Sequence, residues 1–125
     1  CGGNAGSQAA SVVIRGLAVR DIRPRDVWSV FSRELALGLA LGLSMAGIAF
    51  LRAWTVGGNP VMGLIVCLSV LLIVAMATVV GSMLPIAATA LRLDPAVMSS
   101  PLITTIVDGT GLMIYFSIAR TLLKL

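Results

Sequence analysis

Charged residues divide this chain into apolar blocks, and the blocks set the elements. Between Glu34 and Arg52, residues 35–51 carry no charge, and residues 53–91, between Arg52 and Arg92, carry none either. A third block, 101–119, is interrupted only by Asp108. A helix needs about 20 mostly apolar residues to cross the hydrocarbon core of a bilayer, so each block predicts one crossing. The pattern places transmembrane helices at 35–54, 61–91 and 101–123. The fold class that follows is all-α, a polytopic membrane helix bundle.

The punctuation between blocks is consistent with this. Gly57-Gly58-Asn59-Pro60 reads as a turn, and Trp54 before it as an interfacial anchor. The second block is longer than a bilayer requires. Pro85, following Gly81-Ser82, predicts a kink there, with the last part of the helix running beyond the membrane. Arg92-Leu93-Asp94-Pro95 and Ser99-Ser100-Pro101 mark a short loop, and Pro101 opens the third span at a position where proline is tolerated. Ahead of the first span, residues 20–34 read as a charged connection. Asp26 is a candidate N-cap in it, and Val27, Trp28, Val30 and Phe31 predict a short amphipathic helix. Residues 1–19 read as the end of a truncated helix, with a break expected around Gly2, Gly3 and Gly6. This start has neither a charged n-region nor an apolar h-region, so it is not a signal peptide.

Composition excludes several function classes. The chain is 58% hydrophobic and 11% charged, with a mean hydropathy of +1.06, whereas soluble domains carry roughly 25% charged residues. The formal charge of +4 does not signal nucleic acid, because the arginines flank the spans. Arg15, Arg20, Arg23, Arg25, Arg33 and Arg92 fall on one side of the membrane, and Arg52, Arg120 and Lys124 on the other. The positive-inside rule makes the first side cytoplasmic. There is no histidine, and Cys67 lies inside a span, far from Cys1. Zinc, copper and haem sites therefore lack their usual ligands. Any bound metal would be held by oxygen.

Asp108 is where the chemistry concentrates. A carboxylate near the middle of a span costs about 2.5–3.5 kcal/mol on insertion scales, and such groups by default mark ion pathways, proton relays or substrate sites. Helical spacing puts Thr104, Gly111 and Tyr115 on its face, while Ile106, Val107, Ile114 and Ile118 are free to face lipid. The bland alternative is an aspartate that hydrogen-bonds a neighbouring helix. Asn4 and Gln8 stand at i, i+4 amid Gly3, Gly6, Ala5 and Ala9, which suits a pore lining, a discontinuous helix or a tightly packed small-residue interface. Gly38, Gly42 and Ala46 form a small-residue stripe whose first reading is ordinary helix packing, and such residues also favour close approach in a dimer. Glu34 and Asp94 sit at cytoplasmic ends of spans, next to Arg33 and Arg92. They read as solvated termini or ion-pair partners of those arginines, or else as contacts for a partner or a regulatory cation.

Several motifs resemble a known family. Gly2-Gly3-Asn4-Ala5-Gly6-Ser7-Gln8 followed by Ile14-Arg15-Gly16-Leu17-Ala18 is similar to the end of the second transmembrane helix of MgtE-type magnesium channels. Met83-Leu84-Pro85, Leu93-Asp94-Pro95-Ala96, and the run Pro101 to Leu112 through Thr104-Thr105-Ile106-Val107-Asp108-Gly109 resemble that family's last two helices. The likeness runs through the whole chain in order. It implies that residues 1–125 are the C-terminal part of a transmembrane ion-channel domain, without the family's first helix, most of its second, or its cytoplasmic N and CBS domains. It implies a homodimer with the ion path between subunits and Asp108 as the ligand of hydrated Mg²⁺. The backbone carbonyl of Thr104 lies one turn earlier, and Gly3, Asn4, Gly6, Ser100 and Thr105 line the pore. Asp94 and Glu34 match acidic positions facing the family's cytoplasmic regulatory part, which implies contact with regulatory Mg²⁺ only in a full-length relative.

Elementary chemistry agrees with that implication. Mg²⁺ demands oxygen, keeps most of its water and commonly uses one or two carboxylates. One Asp108 cannot neutralise a divalent ion, but two related by a dimer axis can. The reading is therefore a passive Mg²⁺ channel or transporter in the bacterial inner membrane, importing the ion down its electrochemical gradient, with Mn²⁺ and Ca²⁺ as other candidate ions. Its partners are the ion, the bilayer and a second copy of the chain, and not nucleic acid. The alternatives are a proton-coupled transporter in which Asp108 is the proton site, or a non-transporting assembly subunit. An enzyme is not expected. Intramembrane aspartyl proteolysis needs a second membrane carboxylate, and Asp94 lies in a loop.

Overall fold

The computed structural model describes residues 1–124 and is a bundle of four α-helices. They are α1 Gly2–Ala18, α2 Val27–Gly57, α3 Pro60–Ala90 and α4 Ser100–Leu123. Two 3-10 turns, Pro24–Asp26 and Pro95–Val97, precede α2 and α4. No strand occurs among the described residues. Helices α2, α3 and α4 are each long and apolar enough to cross a membrane, so the chain is a membrane protein. On α2 two tryptophans, Trp28 and Trp54, are 79% and 55% exposed. At 1.5 Å per residue they stand about 39 Å apart along the axis, close to the roughly 40–45 Å between the two polar faces of a bilayer.

The helix ends follow from local chemistry. α2 stops where Gly58 turns left-handed (φ 62°) and its N–H donates to the Trp54 carbonyl at 3.1 Å. A side chain there would meet the chiral penalty that glycine avoids. Asn59 then caps α3 by accepting from the Val61 N–H at 2.9 Å, with Pro60 in the first turn. Asp94 does the same for the turn before α4, accepting from the Ala96 N–H at 2.9 Å. Asp26 acts differently from expectation. Its side chain accepts from the Arg23 N–H at 2.9 Å rather than capping α2.

Two further expectations change. The glycines at 2, 3 and 6 do not break α1, which runs unbroken to Ala18. They are buried against α3 and α4, where a small residue is needed for contact rather than for a bend. Likewise Val27–Phe31 does not form a separate amphipathic helix but is the first turn of α2. Pro85 lies inside α3 without ending it.

α3 is the hub. It packs along α2, and on its other sides against α1 and α4, which also touch each other. The closest approach is at Gly6 and Gly81, where a Cβ on Gly81 would collide with the Gly6 carbonyl. Gly38, Gly42 and Ala46 of α2 are buried against Thr78, Ala75 and Leu71 of α3. That stripe is consumed within the chain, so it is not an interface for a second copy. Val107 is also displaced from its expected place. It is 0% exposed and packs with Ala10, Ala77 and Ile103, not against lipid.

Candidate functional site

Asp108 lies in the middle of α4 and is exposed, while Val107 beside it anchors the helix in the core. Among the described residues its carboxylate has no hydrogen-bond or ion-pair partner. The one ion pair described is Arg33 with Glu34. Asp108 borders a crevice of about 610 Å³ between α3 and α4, shared with Gly111, Leu112 and Tyr115 and lined by no other charged side chain. Its carboxylate stands beside largely apolar walls, with no cationic side chain among the lining residues.

α1 faces it with almost no side chain. A Cβ on Gly3 would stand 2.8 Å from Thr104 Cγ2 and 3.2 Å from Asp108 Oδ1. The backbone of α1 therefore lies directly over the Thr104–Asp108 face. One turn further along, Ser7 Oγ is 3.2 Å from Thr104 Oγ1 and accepts from Ser100 Oγ at 3.0 Å. Gly3 and Ser7 on α1, and Asp108, Thr104 and Ser100 on α4, are each spaced by four residues. They meet in opposite order, so the two helices run antiparallel along one polar seam. The carbonyl of Thr104 is not taken by a neighbouring hydroxyl. Thr105 Oγ1 donates to Pro101 O at 2.8 Å, Thr110 donates to Ile106 O, and the residue four positions after Thr104 is Asp108 itself.

The sequence-predicted residues thus divide into groups. Gly3, Ser100, Thr104 and Asp108 come together on the α1–α4 seam. Thr105 is exposed on the adjoining surface of α4. Gly6 is buried one turn along α1, against Ala77, Ile103 and Val107. Asn4 and Gln8 face another way. They line a crevice of about 630 Å³ between α1 and α2, together with Arg33, Glu34 and Thr78. Glu34 is 5% exposed, with Oε1 3.2 Å from the Arg33 guanidinium, and its backbone carbonyl accepts from Thr78 Oγ1 at 3.0 Å. Asp94 is exposed at the loop before α4, occupied as a cap. No group of three or more acidic or cysteine side chains gathers among the described residues. Ser7 escaped the sequence reading. Its one signal was four-residue spacing from Gly3 on the small-residue side of α1.

Comparison with known proteins gives a consistent result. The family model MgtE, divalent cation transporter, matches residues 1–118. A magnesium transporter MgtE of Thermus thermophilus is 44% identical over 123 residues, which is 98% of this chain and 27% of the relative. Its namesake in Bacillus subtilis is 34% identical over 117 residues, 94% of this chain and 26% of the relative. That of Enterococcus faecalis is 32% identical over 123 residues, with shares of 98% and 27%. The chain spans about a quarter of the length of the curated relatives it matches.

Proposed function

Because the chain belongs to the MgtE family of divalent cation transporters, we propose that it forms part of the membrane pathway of a bacterial inner-membrane Mg²⁺ transporter. Asp108 is the ligand of the hydrated ion. The observation that carries this is its exposed, unpartnered carboxylate at mid-span, beside a Thr104 carbonyl that no hydroxyl occupies. A second copy of the chain supplies the second carboxylate, since one negative charge leaves a divalent ion half neutralised. Two carboxylates acting through the ion's own water attract it without stripping or trapping it, which is what conduction requires.

In this reading hydrated Mg²⁺ arrives from outside, is held between paired Asp108 side chains, and passes Thr104 and Ser100 toward the cytoplasm. Gly3 and Thr105 flank that path, whereas Asn4 lines the crevice between α1 and α2. The driving force is the electrochemical gradient, and Mn²⁺ and Ca²⁺ are the other candidate ions. Glu34 and Asp94 stand apart from the path and serve at the cytoplasmic face, as contacts for regulatory Mg²⁺. The test is Mg²⁺ flux into proteoliposomes with the Mg²⁺ gradient and the pH gradient varied independently. Flux that follows Mg²⁺ and is lost in Asp108→Asn supports the channel reading. Flux that follows the pH gradient instead would make Asp108 a proton site and overturn it.

A further inference from the structure

Ser7 joins the ion-binding face of α4 to α1, and we infer that it is a positioning residue for ion binding, acting through Thr104; this rests on the reading of Asp108 and Thr104 given above. The case begins with what hydroxyls do elsewhere on α4. Thr105, Thr110, Ser117 and Thr121 each donate to the carbonyl four residues back, at Pro101, Ile106, Met113 and Ser117. In a membrane helix that is the expected resting place, because no water is at hand and the carbonyl is always within reach. Thr104 departs from it. Its hydroxyl meets Ser7 on another helix, 97 positions away in sequence, and Ser7 is also bonded to Ser100.

The consequence is geometric. A threonine carries its hydroxyl and methyl on one carbon, so the direction of Oγ1 fixes that of Cγ2. With Oγ1 held by Ser7, the methyl lies against Gly3, where a Cβ would meet it at 2.8 Å, and Gly3 in turn lies beside Asp108 Oδ1. Beside these bonds α1 meets α4 through apolar contacts, among them Gly2, Gly6 and Ala10 with Val107 and Ile103. Such contacts have no preferred direction and permit sliding. The two hydroxyl bonds are directional, and they set the register in which Gly3 sits over the carboxylate. Remove the Ser7 hydroxyl and Thr104 is free to turn back to the Ser100 carbonyl. Its methyl then leaves Gly3, and the packing of α1 over the Asp108 carboxylate loses its directional restraint.

The experiment measures Mg²⁺ flux against Mg²⁺ concentration in proteoliposomes, with melting midpoint and oligomeric state recorded for each variant. Ser7→Ala should raise the half-saturating Mg²⁺ about three- to tenfold, the range corresponding to one net hydrogen bond. Maximal flux and melting midpoint should stay at wild-type values. Thr104→Val keeps shape and backbone carbonyl but lacks the hydroxyl, and should show the same shift. The double variant should be no worse than Ser7→Ala alone, since that change already removes the Ser7–Thr104 bond. Ser7→Thr, which retains a hydroxyl, should restore wild-type half-saturation. An unchanged half-saturating concentration in Ser7→Ala overturns the inference, as does a fall in flux that merely tracks a fall in melting midpoint. Asp108→Asn in the same assay separates the two claims. If it still transports, the ion-site reading fails; if it is inactive while Ser7→Ala behaves as wild type, only the role of Ser7 fails.

Discussion

A carboxylate with no cation of its own can be tested by changing charge and reach separately. Asp108→Asn keeps nearly the same volume and removes the charge, so a residue that only pairs helices would tolerate it. If Asp108 holds a divalent ion, the variant should fold and reach the membrane yet lose most Mg²⁺ flux. Asp108→Glu should fall between, because the charge stays while an extra methylene moves it toward its mate. Uptake ranked Asp, Glu, Asn is the expected order, and full flux in the Asn variant would end the pore-ligand reading. Gly3 gives an independent check from the opposite helix. An alanine there places a methyl 2.8 Å from Thr104 Cγ2 and 3.2 Å from Asp108 Oδ1, so the side chains must turn or α1 must lift. Gly3→Ala should therefore cut Mg²⁺ flux at least about fivefold, roughly the rate equivalent of the low end of the 1–3 kcal/mol that overpacking costs; flux at wild-type level would show that the seam is not part of the path. Asp108 and Thr104 were legible in the sequence, because one charge in an apolar block and a four-residue spacing need no tertiary information. The Ser7 bond was not. A hydroxyl's direction depends on which helix lies opposite, and nothing local to Ser7 specifies α4.

Helices in this bundle are held by small residues at crossings, where backbones approach because no side chain intervenes. Gly81 is the clearest case, since a Cβ there would collide with the Gly6 carbonyl. Gly81→Ala should lower the melting midpoint in mild detergent, by a loss of about 1–3 kcal/mol typical of overpacking. Gly47 has nothing within 4 Å of where its Cβ would lie. Gly47→Ala should be neutral or slightly stabilising, as alanine is the better helix former by about 1 kcal/mol. Equal effects at both positions would mean that the crossing is not where the bundle is tight. The crossings explain which elements the chain declared and which it concealed. The three long helices were visible because charges bound them. The continuity of α1 was concealed because Gly2, Gly3 and Gly6 look like a break until α3 and α4 are placed against them. The join of Val27–Phe31 to α2 was concealed for a related reason. Charged flanks suggested an end, but Ser32, Arg33 and Glu34 hold no glycine or proline to break the helix, and it runs on.

At the scale of the whole molecule, topology and assembly decide whether Asp108 can work as proposed. The arginine-rich segment should be cytoplasmic and the α2–α3 turn external. Gly57→Cys is the reporter to use, because Gly57 has open space for a side chain, whereas Gly58 is left-handed and would be strained. Labelling of Gly57→Cys from outside intact cells, with Asp21→Cys protected, is the expected result; the reverse pattern inverts the assigned topology and puts the arginine-rich segment outside. Assembly is the more demanding question. The stripe Gly38, Gly42 and Ala46, which seemed suited to a dimer, is spent on α3. A second copy must then approach another face, and the charge argument requires it to bring its own Asp108 close. That leaves the exposed side of α4, where Thr105 lies one turn from Asp108. In a background with Cys1 and Cys67 replaced, Thr105→Cys should form cross-linked dimers in lipid with a short bis-thiol reagent. Leu43→Cys, 65% exposed on α2 and away from α4, should not. Cross-linking confined to Leu43→Cys would put the two Asp108 side chains on opposite sides of the assembly, and a divalent ion would then have only one carboxylate to meet it.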